Sequence, residues 1–174
     1  MPDLKPVDWV ILSRLDPSAG GRETWLYSFL PTLLAAEKDI ELRVYGQRLE
    51  GQPDFTDTLR QAITPRDRRR LKPVLFLSRR TRLPLFFDMA RQLRRHMAPP
   101  EIPPGRYVVA AGSILEHLMV LSSPKLRDSF KIVWLRTIFL DAKSDRLPGP
   151  LLALARWIEG QLLKRAHLLI ANGD

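Results

Sequence analysis

The stretch Asp16-Pro-Ser-Ala-Gly-Gly-Arg-Glu-Thr-Trp25 holds the residue types and spacing best suited to chemistry in this chain. A short apolar run ends at Ser13, and the pair Gly20-Gly21 then opens a run of helical periodicity. The first turn of a helix exposes backbone N–H groups and a partial positive charge, and glycine lets an anion reach those donors without meeting a Cβ. The chemistry on offer is therefore the binding of a phosphate or a similar anion. A tight turn with no ligand explains the pair equally well. Arg22 is either a cation beside that anion or a solvated first-turn residue. Glu23 is favourable at a helix start through the dipole alone, or it contacts an acceptor. The stretch is neither G-x-G-x-x-G nor a loop closed by G-K-[ST], which argues against a dinucleotide fingerprint and a P-loop.

Two more places have the same character. Gly112-Ser113 follows an apolar run and precedes a helical one, adding N–H donors, with Ser113 reading most simply as a helix N-cap. Arg136 and Thr137 follow the apolar run Phe130–Leu135, where Arg136 is either a cleft cation or an ordinary loop residue. His117 reads as a structural histidine, with Glu116 directed elsewhere on its helix. The three histidines are scattered and no H-E-x-x-H occurs, so zinc is not indicated. The absence of cysteine removes disulfides, thiolate nucleophiles and Cys-based zinc sites, and fits a reducing cytoplasm. No metal or other cofactor is expected.

The elements that must position these residues follow from periodicity. Asp8 to Ser13 reads as a buried strand. Arg22 to about Ala36 reads as a helix with Trp25, Leu26, Phe29, Leu30, Leu33 and Leu34 on one stripe, kinked at Pro31. Ile40 to Tyr45 alternates like a half-buried strand, and Gly46 to Arg70 reads as an irregular connection with one helical turn. Pro73 to Ser78 predicts a strand, Pro84 to Met97 a helix, Ala98 to Gly105 a turn, Tyr107 to Ala111 a strand and Gly112 to Leu121 a helix. Phe130 to Leu135 and Leu168 to Ala171 predict strands around a helix over Pro150 to Arg165, with Leu151, Leu154, Ala155, Ile158 and Leu162 on one face. Strands alternating with helices imply an α/β domain: an open, mostly parallel sheet between two helical layers, with ligands outside the carboxyl ends of the strands. At 174 residues and 45% hydrophobic content the whole chain, 1–174, suits one such domain.

The order strand, Gly20-Gly21-Arg22-Glu23, helix, Leu30-Pro31 and second strand resembles the amino-terminal domain of the retaining GT-B glycosyltransferases of family four. The far end, Trp157-Ile-Glu-Gly-Gln-Leu-Leu-Lys-Arg-Ala-His-Leu-Leu-Ile-Ala-Asn172, resembles that domain's closing helix and strand. The resemblance brackets nearly the whole chain and implies a Rossmann-like three-layer domain, one half of a GT-B fold. It also implies that the carboxyl-terminal domain carrying most of the nucleotide-sugar site is absent, so the isolated domain is not expected to turn over. The activity implied is metal-independent hexose transfer from a nucleotide sugar to a glycan or lipid-linked acceptor with retention. Gly20 and Gly21 would then touch the donor diphosphate, and Arg22, Glu23, Ser113, Arg136 and Thr137 would line the acceptor side or the cleft. Many relatives carry a histidine after the strand matching Phe130–Leu135, where this chain reads Arg136-Thr137. Catalytic residues are not assignable from this half.

The chain's charge of +9, from 28 Lys and Arg against 19 Asp and Glu, points to anionic partners. Arg66, Arg68, Arg69, Arg70, Lys72, Arg79, Arg80 and Arg82, with Arg91, Arg94 and Arg95, form either a solvated surface or a face for anionic lipid, worth about 1 kcal/mol per cation near such a membrane. The expected location is cytoplasmic, at the inner face of a membrane in the lipid case, since no apolar run is long enough to span a bilayer. A basic nucleic-acid-binding module is the rival reading, but it lacks a recognisable motif and interleaved aromatics, so nucleic acid is not an expected partner. A non-catalytic glycosyltransferase-like scaffold is the second rival.

Overall fold

A computed structural model of the chain describes residues 4–11, 14–78, 91, 106–112, 114–135 and 149–171. Six strands are present: β1 (Lys5–Val10), β2 (Ile40–Leu49), β3 (Leu71–Ser78), β4 (Tyr107–Gly112), β5 (Phe130–Leu135) and β6 (Leu168–Ala171). Between them lie helices α1 (Gly21–Ala36), α2 (Thr56–Gln61), α3 (Ile114–Leu121) and α4 (Gly149–Leu163), with short 3-10 turns at Arg68–Arg70 and Pro124–Leu126. Every strand pairing is parallel, and the order across the sheet is β3-β2-β1-β4-β5-β6. The domain is thus α/β and Rossmann-like, with helices on both sheet faces.

Side-chain alternation builds the two faces. Trp9, Ile11, Leu42, Val44, Val109 and Ala111 meet Leu26, Leu30 and Leu34 of α1 and Leu59 of α2. Val10, Tyr45, Phe76, Val108, Ala110 and Val133 meet Met119, Val120 and Leu121 of α3 and Leu162 of α4. Leu26, Leu30 and Leu34 recur one turn apart and are fully buried, each contributing about 1.5–3 kcal/mol through lost apolar exposure. Trp25, Phe29 and Leu33 pack partly buried beside them, so the predicted stripe of α1 is the observed one.

Several boundaries differ from the sequence reading. Strand β2 runs four residues past Tyr45, because Gly46–Leu49 pair with Leu75–Ser78 of β3. The connection after it holds α2 and a 3-10 turn. Strand β1 ends at Val10, and Gly112 closes β4 instead of opening a helix. Helix α1 runs from Gly21 to Ala36 as one element that includes Pro31. Of the predicted α4 stripe, Leu162 is buried but Leu154 and Ile158 are 52% and 37% exposed; the last turns of α4 meet the core, through Leu162 and Leu163. The predicted helix Pro84–Met97, apart from helical Arg91, and the turn Ala98–Gly105 lie outside the described residues, as do Ser13, Ser113, Arg136 and Thr137.

Candidate functional site

Strand order reverses between β1 and β4, whose neighbours diverge to opposite sides, and the carboxyl ends of adjacent parallel strands open a crevice at such a point. The connection from β1 to α1 rises from that edge. Its anchor is Leu15, fully buried with φ of 58°, a left-handed conformation costly for a branched side chain. The side chain sits over Gly46 of β2, where an added Cβ would lie 2.7 Å from Leu15 Cγ. Tyr27 of α1 donates its hydroxyl to the Leu15 carbonyl at 2.8 Å, closing the loop onto the helix it feeds. Burial, with help from the Asp16 charge, pushes the Tyr27 hydroxyl up to about 12, so it stays a donor. Arg14 Nη1 donates to Gln52 Oε1 at 2.6 Å. Asp16 accepts from the Ser18 backbone N–H at 2.9 Å and from its hydroxyl at 2.7 Å, an Asx turn whose bonds lower the carboxyl pKa.

This framework delivers Gly20 and Gly21 to the start of α1, both exposed. The two are not equivalent. Gly20 has φ of 152°, which L side chains rarely adopt, and a Cβ there would face Glu23 Oε2 at 3.6 Å. Glu23, 5% exposed, therefore folds back beside Gly20 in the first turn, where its charge meets the positive end of the helix. Around Gly21 a Cβ would meet nothing within 4 Å among the described residues outside the helix's own first turn, leaving that side of the bend open to an approaching group.

Across the crevice β4 ends at Gly112 and α3 begins at Ile114. Glu116 and His117 in its first turns are both buried, at 0% and 2% exposure. Burial pushes the His117 pKa below its usual value, with the Trp134 backbone opposing the shift. An aromatic cluster ties the start of α1 to the end of β5: Trp25 meets Trp134 edge-on at 4.5 Å and stacks on Phe29 at 4.6 Å, with Trp9 beneath at 5.9 Å from both tryptophans. The cluster fixes the tilt of α1, and hence the aim of its first N–H groups, against the strand that leads to Arg136.

The basic run is partly consumed inside the fold. Arg70 donates to the Glu37 carbonyl at 2.6 Å, to the Leu34 carbonyl and to Asp67 Oδ1 at 2.5 Å, satisfying the last carbonyls of α1. Arg68 Nε donates to the Arg60 and Ile63 carbonyls behind α2 at 3.0 and 3.1 Å, and Lys72 pairs with Glu41 at 2.5 Å. Farther from the crevice, fully buried Asp8 gathers Arg106, Arg43 at 2.8 Å and the Tyr45 hydroxyl at 3.1 Å. This cluster joins β1 and β2 to the residue preceding β4. Asp8 interrupts an apolar run in the sequence, but nothing local names its partners, which lie 35, 37 and 98 residues away.

Among the described residues, no group of three His, Cys, Asp or Glu side chains is arranged to hold a metal, and no helix is long and apolar enough to cross a membrane. No protein-family model matches the chain, and no curated protein matches it either.

Proposed function

We propose that the chain is the acceptor-side, amino-terminal domain of a retaining GT-B glycosyltransferase. Its partner would be a carboxyl-terminal domain across the crevice, and the reaction the transfer of a hexose from a nucleotide sugar to a glycan or lipid-linked acceptor. The observation that carries the reading is the Gly20-Gly21 bend: an open helix start beside the reversal point of a parallel sheet. An oxyanion leaving group such as a nucleoside diphosphate needs oriented N–H donors and cations more than a strong base. In this reading the amides around Gly21 face the diphosphate, Glu23 orients the bend from inside the first turn, and Arg136 and Thr137 follow a strand that ends on the same edge. Arg22 and Ser113, beside the two helix starts in the sequence, would belong to the same cleft in this reading. The enzyme would work in the cytoplasm, with exposed cations such as Arg66 and Arg69 facing an anionic membrane.

One observation favours a non-catalytic scaffold as the second reading. The Glu23 carboxylate already occupies the positive end of α1, where it repels an arriving diphosphate. Calorimetric titration of the intact gene product with UDP- and GDP-hexoses, and with a short oligonucleotide, separates the readings. The glycosyltransferase reading predicts saturable binding of a nucleotide sugar that outlasts physiological salt. Binding of the oligonucleotide alone, with a steep salt dependence, would replace it by the nucleic-acid reading. A response to neither would leave the scaffold.

A further inference from the structure

A second cavity, of about 400 Å³, lies at the opposite edge of the sheet. It is lined by Leu4 ahead of β1, by Leu34 and Ala35 in the last turn of α1, by Lys38 ahead of β2, and by Arg66, Asp67 and Arg70 ahead of β3. We propose that this cavity is a binding site for a phosphate monoester, held by Lys38 and Arg66 against the apolar wall at Leu4.

Its charge is the first argument. Three cations face one carboxylate, and that carboxylate is spent: Asp67 Oδ1 accepts from Arg70 at 2.5 Å and Oδ2 from Thr64 Oγ1 at 2.7 Å. Those bonds hold the Asp67 carboxyl below the usual range, so it remains charged and committed to Arg70. Lys38 and Arg66 are exposed, and among the described residues neither side chain is held in a hydrogen bond or ion pair; Arg66 adds through-space attraction to Asp67. Two uncommitted positive charges at one small mouth suit a dianion. A phosphate monoester, with its second pKa of about 6, is one at neutral pH.

The second argument is that the site is built. The carboxyl end of α1 would repel an anion, since its last carbonyls point outward with a partial negative charge. Arg70 cancels that repulsion by donating to the Leu34 and Glu37 carbonyls. The guanidinium of Arg66 can present paired N–H groups to phosphate oxygens, and the Lys38 ammonium a mobile point charge. A cavity of this size takes the ester phosphate and a few carbons, whether these belong to a free metabolite or to a lipid headgroup.

The test uses the full chain and a Lys38→Gln/Arg66→Gln double variant, which should keep the wild-type melting temperature because both side chains are exposed. Glycerol 3-phosphate should shift the amide resonances of Leu4, Lys38 and Arg66 in the wild type, and the double variant should bind it about tenfold more weakly or worse. Sedimentation with phosphatidylcholine vesicles containing phosphatidic acid, lost in the double variant, assigns the phosphate to lipid. Response to glycerol 3-phosphate alone assigns it to a soluble ester. No response to either probe, or an undiminished response in the double variant, overturns the proposal. Amide shifts confined to other parts of the wild type do so whatever the variant shows. A Gly21→Ala substitution at the far edge leaves this binding unchanged, so the outcome is separable from that of the nucleotide-sugar reading.

Discussion

At the scale of single residues, Leu15 and Gly46 decide where the bend sits. Leu15 pays a backbone penalty for its left-handed conformation and recovers it by full burial over a position with no Cβ. Gly46→Ala puts a carbon 2.7 Å from Leu15 Cγ and should cost about 1–3 kcal/mol by overpacking, read as a lower urea midpoint at unchanged slope. His117 makes a pH prediction. Its folded pKa lies below the 6.5 of an unperturbed histidine, so the unfolded chain binds the proton first. The stabilising contribution is fully present above pH 6.5 and is lost as pH falls through that value toward the depressed folded pKa. Melting temperatures across that range should fall more steeply for wild type than for His117→Leu, and parallel curves would refute the assignment.

At the scale of elements, the end of α1 shows how a basic run divides its labour. Arg70, 13% exposed at its side chain, replaces solvent at two terminal carbonyls and holds Asp67. Arg69 is exposed. Arg70→Met should therefore destabilise by about 1.5–3 kcal/mol, the range for hydrogen bonds to charged groups, while Arg69→Met stays within about 0.5 kcal/mol. Thermal or urea unfolding of the pair distinguishes them. The sequence could not make this division, because a capping arginine and a solvated one look alike until the partner carbonyls, 33 and 36 residues upstream, are brought alongside. Periodicity was legible where an element meets one face of the core, as in α1. It failed in α4, whose apolar face runs past the part of the helix that meets the core, and in β2, whose Gly46–Leu49 extension depends on β3 for pairing.

At the scale of the whole molecule, the parallel sheet and its layers were readable from strand and helix alternation, and the reversal between β1 and β4 places the glycine bend at the edge where such folds take ligands. The bend's type was visible in Gly20-Gly21; its aim was not, since Leu15, Tyr27 and the Trp9–Trp25–Trp134 cluster that set it come from separate elements. Buried Asp8 links β1 and β2 to the chain entering β4, so the two halves of the sheet share one electrostatic centre below the crevice. Charge is thus arranged at three levels: paired around Asp8 in the middle, matched by Glu23 at the start of α1, and left in excess at the far edge.

The most direct measurement of the central claim is the affinity of a nucleoside diphosphate for the intact gene product and for its Gly21→Ala variant. Among the described residues, and apart from the helix's own first turn, a methyl group at Gly21 meets nothing within 4 Å, so the variant should fold with equal or greater stability. The same methyl stands where a diphosphate oxygen would approach the helix start, and the account predicts binding about tenfold weaker or lost. Equal affinity of the two proteins for UDP and GDP would contradict it.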